Sequence, residues 1–225
     1  MIGRYFQGGP HMKTKFLGAA ASALLVALPA VAQTTLRIGL AEDPDVLDPT
    51  LARTYVGRIV FASICDKLFD IDEKLALVPQ LALSHQASPD GKTVTIKLRE
   101  GVKFSDGTPF NADAVKQAWT RAIAADQTID PPSVRAMTSV DVVNPNTVRV
   151  HFNQPVAQSF LDADVHHSAI LGVPSPTAAA AGTLNSKPVG AGPYILDSFV
   201  QDQKVVLKPN PTFYAPKEQL LGGIE

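Results

Sequence analysis

Between residues 92 and 123 the apolar positions change period. In "KTVTIKL" they alternate, with Val94, Ile96 and Leu98 on one side and lysine and threonine on the other, the two-residue repeat of a half-buried strand. Farther on, Val115, Ala118, Trp119, Ala122 and Ile123 fall at i, i+3, i+4, i+7 and i+8, the stripe of an amphipathic helix. The residues between them predict how one becomes the other. Asp106-Gly107 predicts a tight turn, because glycine reaches positive φ at little cost. Asn111 predicts an N-cap, with Asp113 in the first turn facing the positive end of the helix dipole. Phe110 and Val115 stand where a hydrophobic staple closes the first turn. Each special residue of this corner has a structural task, so the corner is expected to hold a shape and not to do chemistry.

The same reading extends along the chain. Leu36, Ile38 and Leu40 alternate and predict a strand over 35–40. The prolines and acids of "AEDPDVLDPTLART" predict a loop. Ile59, Val60, Ile64 and Leu68 predict a helix over Tyr55–Phe69. Residues 77–91 read as loop with a short apolar turn. Residues 139–152 read as a hairpin around Asn144-Pro145-Asn146, with Val148, Val150 and Phe152 on one face and Arg149 and His151 on the other. A loop, a short helix and a second loop follow over 153–175. "SPTAAAAG" predicts one or two helical turns ending at Gly182, and residues 189–214 predict two strands separated by Gln201–Gln203.

The start of the chain has a different character. Lys13 and Lys15 follow Met12 and precede "FLGAAASALLVALPAVA", an apolar run ending in Ala30-Val31-Ala32. This is the n-region, h-region and small-x-small ending of a secretory signal, so 12–32 is read as a signal peptide cleaved before Gln33, with a membrane anchor as the alternative. Residues 1–11 have no place in that scheme and read as an upstream extension or a scar. Without residues 1–32, which hold three of the 20 Lys and Arg and none of the 21 Asp and Glu, the net charge moves from −1 to −4. That suits an exported soluble protein, and no basic excess points to nucleic acid. The single cysteine, Cys65, allows no internal disulfide and sits in an apolar stretch as a buried hydrophobe.

Four stretches then resemble one family. "VLDPTLARTYVGRIVFASICDKLFDID", "VPQLALSHQASPDGKTVTIKLREGVKFSDGTPFNADAVKQAW", "KPVGAGPYILDSFVQDQKVVLKPNPTFY" and the tail "YAPKEQLLGGIE" resemble, in order, the family 5 extracellular solute-binding proteins of bacterial ABC importers. That family serves peptides, nickel and oligosaccharides. The resemblance implies an α/β fold, a periplasmic-binding-protein-like (type II) lobe with a mixed sheet plus a smaller α+β subdomain. It places the main lobe at about 33–70 and 185–225 and the subdomain at about 71–184. It implies a periplasmic protein that captures a peptide or other small solute between two lobes, closes by a hinge, and delivers it to an inner-membrane ABC permease. It implies no enzymatic activity and no cofactor. Members are usually over twice this length, so the second lobe is expected to be missing here. A fragment, a second chain supplying the other lobe, and a non-functional remnant all remain open, as does an exported non-catalytic interaction domain.

The resemblance also places Arg53, Thr54 and Tyr55 in the ligand cleft. Arg53 is expected to pair with a carboxylate and Tyr55 to stack or donate from its hydroxyl. The alternative is a solvated arginine with a tyrosine packed on the lobe. Asp43, Asp45 and Asp48 share the same loop, but Pro44 and Pro49 and the lack of a glycine turn favour a plain surface loop over a calcium site. His166–His167 invite a metal reading; adjacent side chains point apart and no further ligand stands at suitable spacing, so no metal is expected. His85 is placed in a loop. Ser105-Asp106 could begin a hydrolase site, but their place in a turn favours a structural bond.

Overall fold

The computed structural model describes residues 34–125, 132–165 and 171–225. The expected signal peptide at 12–32 and the His166–His167 pair lie outside the described residues. In chain order the elements are β1 (Thr35–Leu36), α1 (Tyr55–Ile64), β2 (Phe69–Ile71), β3 (Leu77–Pro79), β4 (Ala82–Ala87), β5 (Thr93–Leu98), α2 (Ala112–Ala124), α3 (Pro132–Arg135), β6 (Met137–Asn144), β7 (Thr147–Phe152), α4 (Ala157–Ser159) with a π turn at Phe160–Asp164, α5 (Pro176–Ala180), β8 (Tyr194–Val200), β9 (Lys204–Pro209), a 3₁₀ turn at Pro216–Glu218, and β10 (Gly223–Ile224).

The corner forms as its residues predict. Gly107 turns at φ +85, and Asp106 Oδ1 accepts the Thr108 amide at 2.9 Å. Asn111 Oδ1 accepts the Ala114 amide at 3.0 Å and caps α2. The helix lays Val115, Ala118, Trp119 and Ala122 on an antiparallel sheet of order β4-β5-β7-β6. Val94, Ile96, Leu98, Val148 and Val150 face it with no exposure. Ile123 is only half-buried at the edge of this core. Trp119 is held by direction as well as by area: its indole N–H donates to the Leu171 carbonyl at 3.1 Å, and its ring meets Phe160 edge-on at 6.0 Å.

A second sheet has the order β1-β10-β9-β8, with β1 parallel to β10 and the other pairs antiparallel. It packs against α1 through Leu47, Val60, Phe61, Ile64, Tyr194 and Leu207, a core separate from the one around Trp119.

Three expectations are corrected. The first strand covers two residues and not six, and Leu36, Ile38 and Leu40 are exposed, at 39–43%. Alternation described their pattern but not a covering layer; β1 pairs only with the two residues of β10. The helix α1 ends at Ile64 and not at Phe69. The Ile64 carbonyl, which a longer helix would offer to Leu68, accepts the Gly192 amide at 2.9 Å, and Cys65 turns to extended geometry. Residues 77–91, expected as loop, contain β3 and β4. β4 is an edge strand with four consecutive exposed positions, so no alternation marked it. His85 therefore stands on a strand, with Phe69 edge-on at 5.3 Å.

Gly190 and Gly192 make the closest approach. A Cβ on Gly190 would lie 2.1 Å from the Ile64 carbonyl oxygen, and one on Gly192 would lie 2.6 Å from the Ile64 carbonyl carbon. Either alanine must push backbone away from backbone. We expect Gly190→Ala and Gly192→Ala each to cost about 3 kcal/mol in urea unfolding. Gly39→Ala, with nothing within 4 Å of its Cβ, serves as the neutral control. Equal midpoints for all three variants would refute the contact's role.

Candidate functional site

The loop from Ala41 to Thr54 joins β1 to α1 and is built around carboxylates. Asp45 Oδ2 accepts the Arg53 amide at 2.7 Å, and Oδ1 accepts the Thr54 hydroxyl at 2.9 Å. Burial pushes the Asp45 carboxyl up, but these hydrogen bonds outweigh it and hold the group below the ordinary aspartate value. Thr54 in turn caps α1, its oxygen accepting the Gly57 amide at 3.0 Å. Arg53 Nη1 donates to the Thr50 and Ala52 carbonyls, both at 3.0 Å. Tyr55 opens the helix with 71% of its surface exposed, and the Arg58 guanidinium lies 5.9 Å from its ring centre.

Arg53, Thr54 and Tyr55 are thus adjacent on one ordered turn. Tyr55 does not pack on the lobe, and Thr54 is committed to the cap. The three stand apart from a groove of about 730 Å³ that runs between Arg37–Pro44 and Lys204, Val205 and Glu225. Asp48 corrects the expectation of a plain surface loop. It is 5% exposed and pairs with Arg121 at 2.7 Å. Among the described residues, no three or more His, Cys, Asp or Glu gather as a metal site.

Other polar candidates resolve into structure. Ser175 donates to Asp106 Oδ2 at 2.6 Å and ties α5 to the turn. His151 meets Asp141 across the β6–β7 pair at 2.9 Å. Cys65 is buried, and burial, with Asp66 and Asp48 adding to it, pushes its thiol far above the ordinary value, which keeps it an unreactive thiol.

One group was missed by sequence reasoning. Asp66 follows Cys65 and is 2% exposed. Its Oδ2 accepts the Tyr214 hydroxyl at 2.6 Å, while Oδ1 is buried without a partner. It lines a cavity of about 270 Å³ with Gln80, Arg99, Tyr214 and Glu218, and the Arg99 guanidinium lies 5.0 Å from the Tyr214 ring centre. Burial raises the Asp66 carboxyl to about 7, against the lowering effect of the Tyr214 hydrogen bond and with Asp70 and Glu218 adding to the rise. The only signal in the sequence was an acid inside the apolar run "IVFASICDKLF".

Residues 76–225 match the family model for "Bacterial extracellular solute-binding proteins, family 5 Middle". The chain belongs to this family. The glutathione-binding protein GsiB of Shigella boydii serotype 4 is 32% identical over 193 residues, covering 85% of this chain and 38% of that protein. NikA from Brucella suis, solved in complex with Fe(III)-EDTA, superposes with a TM-score of 0.72 at 25% identity, over 84% of this chain and 38% of that one. A periplasmic oligopeptide-binding protein from Borrelia burgdorferi superposes at 0.75 with 22% identity, over 85% and 42% of the two chains, a likeness of fold. The fold is that of a type II periplasmic binding protein, mixed α/β with several sheets, as the family resemblance implied. The chain spans about 38% of the length of the curated relatives it matches. Members of the family are binding proteins of transport systems, and among the described residues no helix is long and apolar enough to cross a membrane.

The raised Asp66 sets a pH dependence. The folded state binds this proton more tightly than the unfolded chain, so the contribution of Asp66 to stability is fullest below about 4 and is lost as pH rises through about 7. The difference is on the order of 4 kcal/mol. Asp66→Asn mimics the protonated acid. It is expected to remove this decline and to match or exceed the native chain at pH 8 in urea unfolding. An Asp66→Asn variant less stable than the native chain at pH 8 would contradict the assignment.

Proposed function

We propose that this chain is the N-terminal part of a periplasmic receptor that captures a peptide-like solute and delivers it to an inner-membrane ABC permease, without chemistry of its own. Export through the signal peptide at 12–32 belongs to this reading. So does a division into a main lobe at about 33–70 and 185–225 and a subdomain at about 71–184. The two separate cores support that division, one around α1 and β8–β10, the other around Trp119.

The observation that carries the proposal is Tyr55. An aromatic ring 71% exposed at the start of a well-capped helix, beside an arginine on an ordered turn, is placed to stack on or hydrogen-bond a solute. In this reading Tyr55 stacks on or hydrogen-bonds the solute, Arg53 meets a carboxylate, and Thr54 fixes the turn that presents both. The glutathione-binding relatives favour a short peptide with free carboxylates. The opposite wall of the cleft comes from the remainder of the protein, and closure of the two walls shields the solute from water.

Thermal unfolding with glutathione and tetra-alanine tests this. A solute that binds only the folded chain adds about 2.7 kcal/mol of stability at one hundred times its Kd. We expect such a gain with one of these peptides, and its loss at the same peptide concentration in Tyr55→Ala and Arg53→Ala. Tyr55→Ala alone should change the ligand-free stability by no more than about 0.5 kcal/mol. A peptide gain that both variants retain would place the site elsewhere.

A further inference from the structure

The loop that carries Arg53–Tyr55 is held from outside its own core. Asp48 is its buried centre. One carboxylate oxygen accepts the Thr50 amide at 3.0 Å; the other accepts Arg121 Nη2 at 2.7 Å. The second arm of the same guanidinium, Nη1, donates to the Thr50 hydroxyl at 2.9 Å. Arg121 stands in the last turn of α2, the helix that buries Trp119 in the other core. A second tie runs in the same direction: the Leu47 amide donates to Asn185 Oδ1 at 2.8 Å, and Asn185 lies beyond α5. From Thr50 the chain of contacts continues, because its carbonyl accepts Arg53 Nη1 at 3.0 Å. Arg121, Thr50 and Arg53 are therefore linked in series by directed hydrogen bonds.

We propose that Arg121 and Asn185 are positioning residues for solute binding, setting the place and orientation of the Arg53–Tyr55 turn from α2 and from the segment after α5. The inference rests on the reading that this turn touches the solute. A planar guanidinium grips Asp48 and Thr50 at once with fixed geometry, whereas a lysine offers a single point charge and cannot fix both. One arm of this fork reaches Thr50, the residue whose carbonyl accepts Arg53 Nη1. Asn185 is exposed, so its tie to Leu47 contributes aim to the loop more than burial. The consequence is that the second core forms part of the binding apparatus although it supplies none of the three proposed contacts. A shift of α2 or of the segment after α5 is transmitted to the ligand turn.

Hydrogen–deuterium exchange and calorimetry on the full chain test this in Arg121→Lys and Asn185→Ala. Arg121→Lys keeps a cation beside the buried Asp48, and Asn185→Ala alters a surface residue, so both variants are expected to fold. The amides of Ala52, Arg53 and Gly57, each hydrogen-bonded within the turn, should exchange about tenfold faster, while α2 and β5 stay as protected as in the native chain. Affinity for glutathione or tetra-alanine should fall about tenfold, the order carried by one hydrogen bond. Unchanged exchange in the turn in both variants would overturn the proposal. Unchanged affinity in both, with binding lost in Arg53→Ala, would overturn it as well. Retained affinity in Arg53→Ala identifies a different failure, that of the ligand turn itself.

Discussion

The two cores are joined by a backbone contact that leaves no room for a side chain. The Ile64 carbonyl, at the end of α1, accepts the Gly192 amide, while the Gly190 carbonyl accepts the Ser105 amide from the strand–turn–helix corner. A single glycine-rich crossing thus fastens the helix of one core to the turn of the other. The end of α1 and the place of Cys65 follow from it. Asn210 extends the same junction, its side-chain amide donating to the Gly192 carbonyl at 2.8 Å. Backbone hydrogen bonds at this distance are directional, and flanking side chains cannot replace them.

Charge placement gives the Ala41–Thr54 loop a defined conformation. Asp45 organises the turn from within and Asp48 anchors it from without, through Arg121. Each oxygen of both carboxylates has a donor. A loop of this length would otherwise sample many conformations, and in the proposed role its prior ordering lowers the entropic cost of binding. Asp66 shows the opposite case. Its burial, its unpartnered oxygen and the nearby Asp70 and Glu218 favour the protonated acid, and the Tyr214 hydroxyl holds its other oxygen.

Local rules made much of this legible. The turn at Gly107, the cap at Asn111 and the hairpin of β6 and β7 depend on neighbours in sequence, and each formed as its residues predict. The family was legible too, because its signature corner is long and contiguous. What failed depends on neighbours far along the chain. The period of Tyr55–Phe69 continued past the true helix end because a glycine more than a hundred residues later takes the Ile64 carbonyl. β4 carried no alternation because both its faces are largely open. Asp48 resembled a surface acid until Arg121 came to meet it, and nothing near Asp66 in the sequence announced Tyr214. The turn at Arg53–Tyr55 was reached through family resemblance, and its geometry could not have been read from spacing.

Backbone amide shifts, followed in the ¹⁵N-labelled chain during titration with glutathione and tetra-alanine, test the central claim most directly. A solute-binding role for the ordered turn predicts saturable shifts that centre on residues 41–58. Smaller shifts should follow at Arg121 and Asn185, with little change across the sheet of β4–β7. Shifts centred on the Asp66 cavity or the groove beside β1, or no saturable shift with either peptide, would contradict it.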